Sequence, residues 1–165
     1  MKMWQYGRYV LLAVFVLIFV LFFIRLVLPS QLDDVSPGIS CDENLLDRAD
    51  VYYVIPKFDG VAINKEWCDL VLGRDRELAM HGVTHEYREF GEVRNVAYFQ
   101  EGVDIFQNCF GFTPERFKPG NLGWNSGNDW IRDEVEVDIL WNQLFHKVYH
   151  CNDTGKFPNW LIRVF

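Results

Sequence analysis

Tyr9 to Leu28 reads YVLLAVFVLIFVLFFIRLVL and carries one charge, Arg25, near its end. About 20 consecutive apolar residues are what a helix needs to cross a bilayer, and Arg25 is close enough to the edge to snorkel toward head groups. After Pro29 the pattern breaks into short segments. Ser30 to Asp34 is extended and runs into the turn-rich DDVSPG. Cys41 to Arg48 is compatible with a short helix. VYYVI, Val51 to Ile55, is β-branched and aromatic and is closed by Pro56, as in a buried strand. Asn64 to Leu72 predicts a helix with Trp67, Leu70 and Val71 on one face and Gly73 as its stop. Glu77 to Met80 predicts a strand leading into His81. Val96, Phe99, Val103, Phe106 and Phe110 recur at helical spacing over Asn95 to Phe110, with Gly111 following. Arg116 to Pro119 predicts a strand before the loop GNLGWNSGN. Val135 to Trp141 and Leu144 to His150 read as late strands.

This alternation predicts a single compact α/β domain with parallel strands, preceded by one transmembrane helix. The 165 residues, half of them hydrophobic and 16% aromatic, suit about one domain. The apolar run exceeds the ~7–15 residues of a signal-peptide core and lacks a small-residue cleavage pair, which favours an uncleaved anchor. Lys2 and Arg8 precede it with no acidic residue. The positive-inside rule then gives a cytoplasmic tail at 1–8, a signal anchor at 9–28 and an extracellular or lumenal domain at 29–165. All 23 acidic residues but only 13 of the 16 basic ones follow Leu28, so this domain carries −10. That charge argues against nucleic acid or an anionic membrane surface as a partner. Cys41, Cys68, Cys109 and Cys151 all lie on the exported side and permit two disulfides in any of three pairings. Asn152-Asp153-Thr154 is a glycosylation sequon.

In parallel α/β folds the chemistry sits at the carboxyl ends of strands. Asp33 and Asp34 end the first predicted strand, His81 the third and His150 the last, with His85 four residues beyond His81. Neutral imidazoles with a carboxylate form a shell for a divalent transition metal such as zinc. A second carboxylate beside them suits a general base. Each element also has a plain reading. An HxxxH pair is common, as His146 and His150 show by forming a second one, and Asp-Asp before Pro-Gly is ordinary turn chemistry.

LDDVSP, then VYYVIPKFDG, then ELAMHGVTHEYREFGE together resemble the carbohydrate (polysaccharide) deacetylase superfamily, NodB-like, in a branch whose motifs read DDVSP and HGxxH followed by EF. The resemblance runs from about Leu32 to His150. It implies an incomplete or shortened (β/α) barrel and a metal-dependent hydrolase that removes acetyl groups from an extracytoplasmic glycan. It implies Asp33 as general base, Asp34, His81 and His85 as metal ligands, and His150 as general acid. The ion would be zinc, with cobalt or nickel as alternatives. Pro119, Trp124 and Trp141 would bind substrate, and Asp138 with Trp141 or Asp129 with Trp130 would stand for a further motif. The third motif departs from the family's Arg-x-Pro-aromatic pattern. In RFKPG, Arg116 is one residue too far from Pro119, and Gly120 replaces the aromatic. This departure favours an alternative, a catalytically impaired protein that binds glycan or a protein partner. A third reading is a small disulfide-stapled membrane protein with structural histidines only.

Overall fold

The computed structural model describes residues 2–164. Helix α1, Lys2–Val27, is apolar around its whole circumference, and its segment Tyr6–Val27 is long and apolar enough to cross a membrane. Eight strands and five further helices follow. They are β1 (Gln31–Val35), α2 (Glu43–Arg48), β2 (Val51–Val54), β3 (Lys57–Phe58), β4 (Val61–Ala62), α3 (Lys65–Leu72), β5 (Glu77–His81), α4 (Val96–Phe110), β6 (Arg116–Lys118), β7 (Glu136–Val137), α5 (Leu140–Phe145), β8 (Val148–His150) and α6 (Asn159–Val164). Six strands form one sheet in the order β7-β6-β5-β2-β1-β8, every pair parallel, and β3 and β4 form a small antiparallel ribbon. The sheet is open, which is the incomplete-barrel architecture expected from the sequence.

Helix termini follow their caps. Asn64 and Asn95 accept backbone N–H bonds from Trp67 and Tyr98 at the starts of α3 and α4. Gly111, at φ +86, ends α4 in the left-handed conformation that glycine adopts without a Cβ penalty. Between the sheet and α3 and α4 lies an aromatic core. Phe90, Phe99, Phe106 and Phe117 are at most 3% exposed, and Phe99 meets Phe117 and Trp130 edge to face. Cys68 on α3 is disulfide-bonded to Cys109 on α4, and Cys41 after β1 to Cys151 after β8.

Three expectations are corrected. Leu70 is 68% exposed, and Cys68 instead joins Val71 as the buried residue of α3. Val135 to Trp141 supplies strand only at 136–137 before the chain turns into α5. Leu144 and Phe145 belong to that helix, so the last strand starts at Val148. Asp138 N–H still bonds the Phe117 carbonyl of β6 at 2.8 Å, and its side chain is held from β2, β6 and α5, where the chain turns into that helix.

Candidate metal centre and catalytic cluster

Consecutive strand residues point to opposite faces, so adjacent aspartates need a local irregularity to reach one site. β1 supplies it. The register against β2 shifts between Leu32 and Val35, and Asp34 has φ +63. Asp33 keeps the strand geometry, opposite His150 on β8. Asp34 is thereby turned toward the end of β5, where its Oδ1 lies 3.2 Å from His81 Nε2 and 3.0 Å from His85 Nε2.

These three ligand atoms lie within 4.8 Å of one another. A tetrahedral shell with ~2.0–2.1 Å bonds has ligand–ligand edges of roughly 3.3 Å, which the 3.2 and 3.0 Å separations of Asp34 Oδ1 from the two imidazole nitrogens match. Two further observations support the fit. His81 Nδ1 is 3.0 Å from the Lys118 carbonyl, the position for an N–H donor that leaves Nε2 as the free lone pair. Asp34 Oδ1 is buried with the two imidazole Nε2 atoms as its polar neighbours, while Oδ2 accepts from Thr154 Oγ1 at 2.6 Å. Burial pushes the Asp34 carboxyl up. Its hydrogen bonds to His81 and His85 more than offset this and hold it far below the usual carboxylate range. Burial pulls His81 down, but the charges of Asp33 and Asp34 leave it raised.

Glu89 builds the turn that carries His85. Its carboxylate accepts the backbone N–H groups of Val83 at 3.0 Å, Thr84 at 3.0 Å and His85 at 3.1 Å, and the hydroxyl of Tyr98. Gly82, at φ +61, leaves room for it, since a Cβ there would meet Glu89 Oε2 at 2.3 Å. The hydrogen bond and burial raise the Tyr98 hydroxyl's pKa well above its ordinary value, burial being the larger cause. The sequence reading gave Glu89 no role, although it is the glutamate of the EF pair that follows HGxxH.

Asp33 is 1% exposed and ion-paired to the fully buried Lys118, Nζ to Oδ1 2.7 Å. Lys118 also donates to Gln31 Oε1 at 2.7 Å and lies 3.7 Å from the centre of the Tyr53 ring. Burial lowers the Lys118 ammonium, opposed by Asp33. The structure thus resolves the irregular third motif. Arg116 does not approach Asp33; it pairs with Asp138 at 2.9 Å and Glu77 at 3.1 Å. The residue before Pro119, Lys118, contacts Asp33 in its place. The signal was the KP dipeptide itself, which the sequence reading passed over for the arginine.

On the other side of Asp33, His150 Nε2 lies 3.8 Å from Oδ2. Its ring packs so closely on Gly155 that a Cβ there would lie 2.4 Å from Nδ1. Gln143 from α5 donates to Asp33 Oδ2 at 3.4 Å. His146 turns away, its Nδ1 2.8 Å from the Pro29 carbonyl. Gly120, which follows Pro119, packs against His85, where an added Cβ would lie 3.1 Å from His85 Cδ2.

The tryptophans divide. Trp124 is half-buried, donates to Asp129 at 2.9 Å and lies under Arg132. Trp130 plugs the core against Phe99. Trp141 is 64% exposed on α5 and stacks on Phe145. Among the described residues Trp141 makes no hydrogen bond or ring contact with Asp34, His81 or His85. Asp138 is buried among Tyr53, Arg116 and Asn142, whereas Asp129 is exposed.

No protein-family model matches the chain, and no curated protein matches it in sequence. Among solved structures it is similar to the esterase-family-4 domain of a multidomain xylanase from the hindgut metagenome of Trinervitermes trinervoides, with 16% identity and a TM-score of 0.43 over 61% of this chain and 52% of that one. It is similar to a peptidoglycan deacetylase from Bacillus subtilis, with 16% identity and a TM-score of 0.48 over 67% of this chain and 56% of that one. It is also similar to a polysaccharide deacetylase from Bacillus cereus, with 17% identity and a TM-score of 0.48 over 74% and 78%. The chain spans about half the length of the first two. The chemistry below rests on this chain's own residues.

Proposed function

We propose that the chain is a metal-dependent deacetylase acting on an acetylated glycan outside the cytoplasm. The observation that carries this reading is the convergence of Asp34, His81 and His85 on one point, with a second, separately held carboxylate, Asp33, beside it. Asp34, His81 and His85 would hold the ion, zinc by its nitrogen and oxygen donors, with cobalt or nickel as alternatives. When bound, the ion supplies Lewis-acid polarisation of the acetyl carbonyl and activation of water.

The chain's residues perform the remaining work. Asp33 Oδ2 is the oxygen not committed to Lys118, and it accepts a proton from the attacking water. Lys118, bonded to Oδ1, fixes the direction of the Asp33 carboxylate. His150, across Asp33 from Lys118, delivers a proton to the leaving amine or alcohol. Pro119 and the Gly120 backbone border the site over His85, and Trp124 lies further along the same loop as a platform for a sugar ring.

The test is hydrolysis of acetylated chitooligosaccharide, peptidoglycan fragments and acetylated xylan by the metal-loaded chain. Asp33→Asn should lose at least about 100-fold in turnover while still binding metal, the range a positioned proton acceptor contributes. Wild-type turnover in that variant would refute the assignment.

The alternative is a glycan- or protein-binding relative with impaired catalysis. It is favoured by one observation: Asp33 is 1% exposed and engaged by both Lys118 and Gln143. It predicts glycan binding without turnover at any metal loading.

A further inference from the structure

The sheet edge opposite the Asp34 site faces the exit of α1, and it is basic. α2 and α6 both end there. Arg48 is the last residue of α2 and Arg163 lies in the last turn of α6. Lys147 lies between them: its backbone carbonyl accepts from Gln31 N at the start of β1, and its Nζ donates to the Arg163 carbonyl at 3.4 Å. Arg25, near the end of α1, donates to the carbonyls of Gln143 and Leu144 on α5 at 3.3 and 3.0 Å. Burial lowers the Lys147 ammonium, and the nearby charges of Arg25 and Arg48 lower it further.

Arg48, Lys147 and Arg163 form no ion pair among the described residues. This holds in a domain where acids outnumber bases by ten, so the cluster is not an average patch of this surface. Between α2 and α6, over β8, runs a groove of about 700 Å³ lined by Asn44, Arg48, Tyr149, Trp160 and Arg163. Two carboxylates also line it, at its other end: Asp42 caps the start of α2, accepting Asn44 N, and Asp153 accepts Asn159 N at the start of α6, whereas Arg48 and Arg163 stand at the ends of those helices. Around this edge stand exposed apolar side chains: Trp160 at 67% and Val164 on α6, and Leu140, Trp141 and Leu144 on α5.

We propose that this groove is a binding site for the phosphate headgroup of an anionic lipid in the bilayer that α1 enters. Arg48 and Arg163 supply the planar, charge-assisted donors that phosphate accepts. Trp160 and Trp141 are exposed, and amphipathic rings of this kind favour the membrane–water interface. Continuity with α1 selects lipid over a soluble anion, because Arg25, which belongs to the spanning segment, reaches α5 directly. Asp34 lies three residues along β1 from this edge, roughly 10 Å at ~3.3 Å per residue, so a docked domain holds the candidate site a fixed, short distance above the lipid. The proposal rests on α1 being in a bilayer and is independent of the reaction at Asp34.

The test uses the full chain in detergent micelles titrated with phosphatidylglycerol, with phosphatidylcholine and with inorganic phosphate. Native mass spectrometry counts retained lipid, and the thermal midpoint is followed in parallel. The expected result is one retained phosphatidylglycerol per chain, roughly tenfold tighter than phosphatidylcholine, with no matching stabilisation by phosphate. Arg48→Gln with Arg163→Gln should abolish that preference while metal binding at Asp34, His81 and His85 is unchanged, and Arg163→Gln alone, on the exposed last helix, should weaken it. Equal retention of both lipids, undiminished preference in the double variant, or stabilisation by phosphate equal to that by lipid would each overturn the proposal.

Discussion

Lys118 illustrates how one buried contact constrains chemistry. A lysine at 0% exposure is tolerated because Asp33 and Gln31 satisfy it. Lys118→Met strands Asp33 as an unpaired buried charge, and the expected loss is about 3–5 kcal/mol in urea unfolding. Adding Asp33→Asn should recover much of it, a coupling that a double-mutant cycle reads directly. A cycle with no coupling would mean that the two groups do not interact. Glu89 makes an equally specific demand. Glu89→Gln replaces an acceptor of three backbone N–H groups by an amide that presents donors to them. It should weaken metal binding by about 10–100-fold through the misplaced His85 turn, measured by competition with a chelating dye. The metal ligands themselves set a pH dependence. The depressed Asp34 value contributes stability that is present above the unfolded carboxylate pKa of ~3.9 and lost as pH falls through the folded value. The raised His81 value contributes stability present below the unfolded imidazole pKa of ~6.5 and lost as pH rises through the folded one. The metal-free pairing is therefore best satisfied between about pH 4 and 6.5, where the imidazole still carries its proton. A metal must displace that proton, so affinity should rise from pH 5.5 to 7.5 with proton release in calorimetry. Flat affinity across that range would contradict the ligand set.

Among the elements, β1 decides the site. Its five residues are too few to announce a bulge, and the DDVSP string resembles turn chemistry as much as catalysis. The motif placed Asp33, Asp34, His81 and His85 together; the φ of Asp34 and the register shift explain how neighbouring aspartates serve two partners. Helices α3 and α4 were legible from 3.6-residue spacing and the glycines that follow them. The late strands were not, because a four-residue alternation around Asp138 looks the same whether it pairs in a ladder or turns into α5. Lys118 was missed for a related reason. Sequence spacing measures distance along the chain, whereas the salt bridge joins side chains of β6 and β1, strands that β5 and β2 separate in the sheet. The segment Cys151 to Gly155 closes the site behind His150. Gly155→Ala should displace the His150 ring, lowering turnover with metal binding intact, because the added Cβ would fall 2.4 Å from Nδ1. Unchanged turnover in that variant would remove His150 from the reaction.

Across the whole molecule, the Cys41–Cys151 disulfide joins the loop after the first strand of the main sheet to the one after the last, across 110 residues of sequence. A loop of that size gives a stabilisation of about 4–5 kcal/mol in the chain-entropy account. Reduction, or the paired Cys41→Ala and Cys151→Ala variant, should therefore lower the thermal midpoint far more than any surface change. It should also loosen Thr154, which hydrogen-bonds Asp34. The pairing was open at the level of sequence, since four cysteines permit three arrangements and only the fold brings these ends together. The long apolar helix α1, by contrast, was plain from composition alone. The most direct test of the account is the metal content of the purified full chain, measured beside Asp34→Ala and His81→Ala. The account predicts about one divalent ion per chain, lost in both variants while the fold persists. A folded wild-type chain that takes up no zinc, cobalt or nickel would contradict it.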